Sequence, residues 1–264
     1  MITIRASALS DFLDCPARAE AKHLLGLRTP SGGAAQLGTA IHASTALFDR
    51  SALEGQGLTA DETAGAAVDV IAHPEHEVVW DDDYTATEAE RTAIALQHRY
   101  CAEIAPTQDY AAVEAKCERL EITDLGIALT GTTDRVSRHG DGYGIRDLKT
   151  GKTAVRADGH VKTDGHRYQI GVYELLAEHA SGLPITEPAH IVGLQTGKTE
   201  KGQRVAVSEG IAGARDVLLG DVESPGVLEM VAKMIHAGTF FGNPRSMLCG
   251  PKFCPIFQRC KFRK

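Results

Sequence analysis

Asp134, Asp147 and Lys149 are the residues of this chain whose types and spacing could act together on a phosphate. Asp134 lies in a strand-like run, Gly-Thr-Thr-Asp-Arg-Val, and Asp147 and Lys149 lie in a second one, Arg-Asp-Leu-Lys, across a His-Gly-Asp-Gly turn. Side chains alternate faces along a strand, so Asp147 and Lys149 share a side while Leu148 points away. Pairing across the turn brings Asp134 near Asp147. Two close carboxylates repel unless a cation sits between them, and hard oxygen donors suit Mg²⁺ or Mn²⁺. An Asp-x-Lys tripeptide is common, and a surface salt bridge is its ordinary explanation. Other residues give it company. His42 ends Gly-Thr-Ala-Ile-His, and Gln169 and Tyr173 are spaced to share one face of a helix.

The cysteines form a second constellation. Of the six, Cys101 and Cys117 fall in a helix-like and a strand-like run and read as small core residues. Cys15 stands alone near the N-terminus, and Cys249, Cys254 and Cys260 crowd together as C-x4-C-x5-C. Four thiolates can hold zinc or an iron–sulfur cluster, and four unligated core cysteines are the remaining alternative. Two Gly-Lys-Thr strings are decoys. A phosphate loop needs a glycine five residues earlier, where Arg146 and Val192 stand.

The elements that must position these residues follow from periodicity and punctuation. Ser7 is expected to cap a helix running toward Gly26, interrupted at Pro16, and 38–50 and 88–103 read as further helices. Alternation predicts strands over 110–122 and within 126–139 and 142–152, then a helix from about Asp164 as cap to His179. Two more strands (189–197 and 203–208) and two more helices (211–220 and 224–238) complete the chain. The expected fold is α/β, a mixed central sheet flanked by helices, in one domain over 1–264. It divides into an N-terminal helical part (about 1–105), a catalytic core (about 106–210) and a cysteine-rich C-terminal part (about 211–264).

In this order the residues resemble the PD-(D/E)xK nuclease superfamily, in particular its RecB- and AddB-like exonuclease branch related to the CRISPR-adaptation nucleases. The resemblance runs from Cys15-Pro16 to Cys260, and the tail from Asn243 to Cys260 is similar to phage-encoded members. It implies a restriction-endonuclease-like core. It also implies that His42, Asp134, Asp147 and the backbone carbonyl of Leu148 bind Mg²⁺ or Mn²⁺, and that Lys149 is catalytic. Gln169 and Tyr173 would contact DNA, and Glu114 falls where relatives often carry an acid. Cys15, Cys249, Cys254 and Cys260 would hold a structural [4Fe–4S] cluster tying the chain ends together, with zinc as the alternative. The activity implied is that of a metal-dependent exonuclease on linear, single-stranded or end-processed DNA in recombination, repair or replication, with a recombination or replication protein as partner. A non-catalytic DNA-end-binding or adaptation subunit and an endonuclease are the competing readings.

Charge bears on the same question. The net charge is −7, which argues against a non-specific nucleic-acid binder. Its distribution is uneven: 54–90 carries eleven acids and no Lys or Arg, leaving the remainder at +4, and the last 22 residues hold six basic residues and no acid. The acidic stretch is expected to face away from DNA and the basic tail toward it. Neither a signal sequence nor a membrane span is read from the sequence, so the expected location is the cytoplasm of a bacterium or phage-infected host.

Overall fold

The computed structural model describes residues 1–82 and 84–263; Asp83 of the acidic stretch and Lys264 of the basic tail lie outside them. A strand that the sequence reading lacks, β1 (Ile2–Arg5), begins the chain. The expected first helix is broken in two, as α1 (Leu9–Asp14) and α2 (Pro16–Ala19). Cys15 between them is extended, at φ −150°. Proline in the first turn of α2 needs no amide partner, which is why the chain restarts there. Ser7 is not the expected cap; it lies inside a short 3-10 turn over Ala6–Ala8.

The short strand β2 (Ser31–Gly32) precedes the longest helix, α3 (Gly33–Leu53). Next come α4 (Ala60–Ala72), β3 (Val78–Val79) and α5 (Ala86–Arg99), which continues as a π turn over Tyr100–Ile104. Thr59 and Thr85 each close a reciprocal capping box with the glutamate three residues on, Glu62 and Glu88. Part of the acidic stretch therefore serves helix starts.

The long strands are β4 (Tyr110–Ile122), β5 (Ile127–His139) and β6 (Gly142–Gly151). Gly140, at φ 56°, and Asp141 form the two-residue loop between the paired ends His139 and Gly142 of β5 and β6. After β6 come α6 (Arg167–Ser181), β7 (His190–Gln195), β8 (Arg204–Val207), α7 (Ala214–Leu219) and α8 (Val227–Ala237). Asp164 does not cap α6, whose first flanking residue is His166.

β4–β5, β5–β6 and β7–β8 pair antiparallel, while β1–β5 and β6–β7 pair parallel, so the sheet is mixed. One edge of β5 is covered by β4. The other is shared by β1, over Ile127–Thr130, and β6, over Arg135–His139. Gly131–Asp134 lies between these two partners. The sheet is forked there.

Each face of the sheet carries its own core. Ile145 and Ile191 point to the face covered by α6, α7 and α8. Leu148, Val192 and Leu194 point to the face covered by α3, α4 and α5. α3 lies close on the sheet because Gly38 lacks a side chain; a Cβ there would come within 2.8 Å of Thr150 Oγ1. Gly38→Val is therefore expected to displace α3 from β6 and lower stability by about 1–3 kcal/mol, measured by denaturant unfolding. Unchanged stability would mean that α3 has room to move.

The N-terminal helices are held by a compact ion network. Asp11 accepts from Arg18 (3.0 Å), Lys22 (2.9 Å) and His23 (2.7 Å), and Arg18 also reaches Asp14 (2.9 Å). Burial pushes the Asp11 carboxyl up, but the hydrogen bonds from His23 and Lys22 and the two cations outweigh it and bring it down to about 2. A carboxyl held below its unfolded value stabilises the fold above that value, and this contribution disappears as pH falls toward about 2. With allowance for solvent screening it is worth about 1–2 kcal/mol. Asp11→Asn should be less stable than the parent at pH 7, and the difference should shrink as pH falls below the ordinary aspartate range and be largely gone by about pH 2. Urea melts across that range check it, and a difference independent of pH would contradict the ion-pair account.

Candidate functional site

Asp134 and Asp147 meet at the fork. The ladder between β5 and β6 ends at Arg135–Arg146, so Asp134 and Asp147 occupy the next positions of the two strands. There the Leu148 backbone N–H donates to Asp134 Oδ2 at 2.8 Å. His42, on α3, approaches the other oxygen, with Nδ1 3.4 Å from Asp134 Oδ1. Asp147 is 1% exposed and forms an ion pair with Lys149. Neither of its oxygens accepts a hydrogen bond of good geometry. For a buried carboxylate that is costly.

Electrostatics follow from that arrangement. Burial raises the Asp147 carboxyl, Lys149 opposes it and Asp134 adds to it, for a net rise to about 6. Burial also raises Asp134, but His42, Lys149 and the Leu148 N–H bring it down to about 2. His42 is disfavoured as a cation by burial, yet its contact with Asp134 holds its pKa above the usual histidine value. One carboxyl held low by its neighbours and one raised mainly by burial, side by side, are the kind of perturbed pair that marks a functional site.

α6 supplies the residues on the same side. Gln169 Nε2 donates to the Tyr173 hydroxyl at 2.9 Å. Burial, then the charges of Asp147 and Asp134, push the Tyr173 hydroxyl upward. His166, just before α6, was not picked out from sequence. Burial and the nearby cations Lys149 and Lys162 bring its pKa down to about 4, so it stays neutral near the lysine at pH 7. The short interval from His166 to Gln169 was the available signal.

Glu114 is not gathered into this group. Its neighbours Val113 and Ala115 pair with Arg135 and Thr133, which sets it across from Asp134, but its side chain pairs with Arg50 of α3. It is the one non-glycine residue with positive φ (50°) among those described. Such strain occurs preferentially near functional sites.

All four singled-out cysteines are free thiols, and with Arg18 they line one small cavity. Hydrogen bonds join the chain ends around it. Asn243 N–H reaches Cys15 Sγ (3.3 Å), Asn243 Nδ2 the Asp14 carbonyl (2.8 Å), and Ser246 Oγ an Asp14 oxygen (2.6 Å). Cys117 is buried in β4 as expected, and Cys101 is half-buried in the π turn.

Among the described residues, no three His, Cys, Asp or Glu side chains are drawn close enough to hold an ion as they stand. At the fork the reason is visible, since Lys149 stands against Asp147 where a cation would sit. The donor chemistry nevertheless fits a divalent ion, because Asp147 is a buried carboxylate whose one ion pair among the described residues is with the Lys149 ammonium, and Asp134 adds a second carboxylate beside it.

Residues 3–261 match the profile of the PD-(D/E)XK nuclease superfamily. The chain belongs to that superfamily. The match covers nearly the whole chain, and the mixed sheet flanked by helices agrees with it. Asp147-Leu148-Lys149 can be laid on the D-x-K half of the superfamily's name, and Thr133 stands where the name has proline before Asp134. Members of the PD-(D/E)XK superfamily are generally nucleases that use Mg²⁺ or Mn²⁺, which supports a metal-dependent nucleic-acid hydrolase. No curated protein matches the chain. Among the described residues, no helix is long and apolar enough to cross a membrane.

Proposed function

We propose that this chain is a metal-dependent DNA exonuclease of the RecB- and AddB-like branch, in which His42, Asp134, Asp147 and the Leu148 carbonyl hold Mg²⁺ or Mn²⁺. The observation that carries this reading is Asp147, a buried carboxylate paired with the Lys149 ammonium and set beside Asp134 at a fork in the sheet. A bound divalent ion would lower the pKa of water and neutralise charge on the scissile phosphate.

The protein's own groups account for the rest. Lys149, a quarter exposed, can swing from Asp147 to a phosphate oxygen and stabilise charge there. Tyr173 and Gln169 extend the polar surface of α6 next to the carboxylates and would orient the DNA backbone. Glu114 would join only by leaving Arg50. The four cysteines would hold a [4Fe–4S] cluster, with zinc as the alternative, in the cavity they already line. A phage origin, a recombination or replication partner and a cytoplasmic location belong to the same reading.

The basic tail supports DNA as substrate. It presents Arg245, Lys252 and Lys261 with exposed Phe253 and Phe262, a combination suited to phosphates and unstacked bases. Lys252 pairs with Asp81, so the acidic stretch touches the tail at one end. The test is digestion of end-labelled linear DNA and of circular single strands with Mn²⁺ or Mg²⁺. Linear DNA should disappear while circles persist. Circles cut as fast as linear strands would make the chain an endonuclease, and binding without cleavage under either metal would make it a binding subunit.

A further inference from the structure

Behind the fork, on the α3 side, lies a buried polar cluster that no role so far has used. Arg135 follows Asp134 on β5 and is 1% exposed. Its Nε donates to Asp49 Oδ2 at 2.6 Å, and its Nη1 donates to the carbonyl of Asp134 itself at 2.8 Å. Asp49 is 3% exposed and also accepts from the Tyr100 hydroxyl at 2.6 Å, which lies 2.9 Å from the Tyr110 hydroxyl. The cluster therefore joins α3, the π turn after α5, β4 and β5. It is not the arrangement that stability alone would choose. Arg135 keeps one buried nitrogen without a partner and faces Arg146, a like charge, across the β5–β6 ladder. Replacing such buried pairs by apolar residues is often neutral or stabilising.

The placement suggests what the pair does instead. His42 and Asp49 lie two helical turns apart on α3, and Asp134 and Arg135 are adjacent on β5. The same helix and strand are thus pinned twice, once at the carboxylate site (His42–Asp134) and once behind it (Asp49–Arg135). Arg135 also holds the peptide carbonyl of Asp134 directly. A guanidinium can make both bonds because its donors are fixed in a fork, which an ammonium cannot reproduce.

We propose that Asp49 and Arg135 are positioning residues that set the separation and orientation of His42 and Asp134 for a divalent cation. This rests on the metal reading of the site. Groups that orient ligands typically change metal affinity ten- to a hundredfold when removed.

The test measures Mn²⁺ affinity of the full chain by electron paramagnetic resonance or calorimetry, alongside urea unfolding. The double variant Asp49→Leu/Arg135→Met removes the pair without leaving a lone buried charge. It is expected to keep near-parental stability and to bind Mn²⁺ about tenfold or more weakly. Arg135→Lys, which keeps charge but not the fork of donors, should weaken binding as well. Leu218→Ala, in the core on the opposite face, should lose stability and leave Mn²⁺ affinity unchanged. If the double variant does not fold, Tyr100→Phe decides, with at least a threefold loss of affinity expected. Affinity within twofold of the parent in the folded double variant, or in Tyr100→Phe where that one decides, overturns the proposal. His42→Ala and Asp147→Ala separate the two readings. If they leave Mn²⁺ binding intact, the metal site itself is misplaced; if they abolish it while the pair variants do not, only the positioning role fails.

Discussion

Asp147→Asn is expected to reduce metal-dependent DNA cleavage at least about a thousandfold, while leaving the protein as stable as the parent or more so. The two halves have one cause. Lys149 only partly offsets the burial of the Asp147 carboxylate beside Asp134, so its charge is unfavourable until a metal ion arrives. Its pKa, raised to about 6, says the same: in the folded chain the charged form is penalised relative to the unfolded one, and the penalty applies at neutral pH. Asparagine removes that charge and with it the main anionic ligand. Lys149→Ala should give a comparable loss of cleavage, because it removes the ammonium that faces the same carboxylate. End-labelled DNA assays with Mn²⁺ and urea melts of the same samples test both variants. Parental cleavage by either variant would show that the chemistry is elsewhere. Strong destabilisation by Asp147→Asn would show that this carboxylate supports the fold rather than strains it.

Cys254→Ser is expected to empty the cysteine cavity of metal and lower the melting temperature by roughly 10 °C or more, as loss of a structural metal site typically does. Among the described residues after α8 the one regular element is a short 3-10 turn, Phe257–Arg259, so little regular structure holds the tail in place. Its attachments include hydrogen bonds to Asp14, Cys15 and Ala17 and the exposed Lys252–Asp81 ion pair. A cluster bound by Cys15, Cys249, Cys254 and Cys260 would link the two chain ends across more than two hundred residues, where loss of unfolded-state entropy is large. Anaerobically purified parent protein should be brown and contain iron, and Cys254→Ser should contain none. Cys101→Ser, which alters a half-buried thiol away from that cavity, should keep the full iron content. Zinc in place of iron would select the alternative metal. An absence of both metals, with melting unchanged in Cys254→Ser, would leave the cysteines as core residues.

The three long strands were legible because their signals are local. Alternation over 110–122 and the glycine-rich turn between β5 and β6 depend on neighbours in sequence, and both match the observed bounds closely. β1 carried too short a run to register, and its partner Ile127–Thr130 lies far along the chain. The helix caps assigned to Ser7 and Asp164 failed for a related reason. Serine and aspartate suit caps equally well as turns and loops, and tertiary packing decided where the helices began.

The site divides in the same way. Asp134, Asp147, Lys149, Gln169 and Tyr173 could be singled out from residue type and spacing, because strand and helix periods are properties of the chain itself. His42 was singled out with them, but its approach to Asp134 required α3 to lie against the fork, and Glu114 is engaged by Arg50. The Asp49–Arg135 pair had no sequence signal, since a buried ion pair between residues far apart looks like two ordinary charged residues until packing removes water from both. Residue types and their spacing set which groups were available and the order in which strands and helices would present them. Which carboxylate lost its solvent was a matter of packing, because desolvation depends on what surrounds a group, and a buried carboxylate that one ammonium only partly offsets is what makes the fork a candidate metal site.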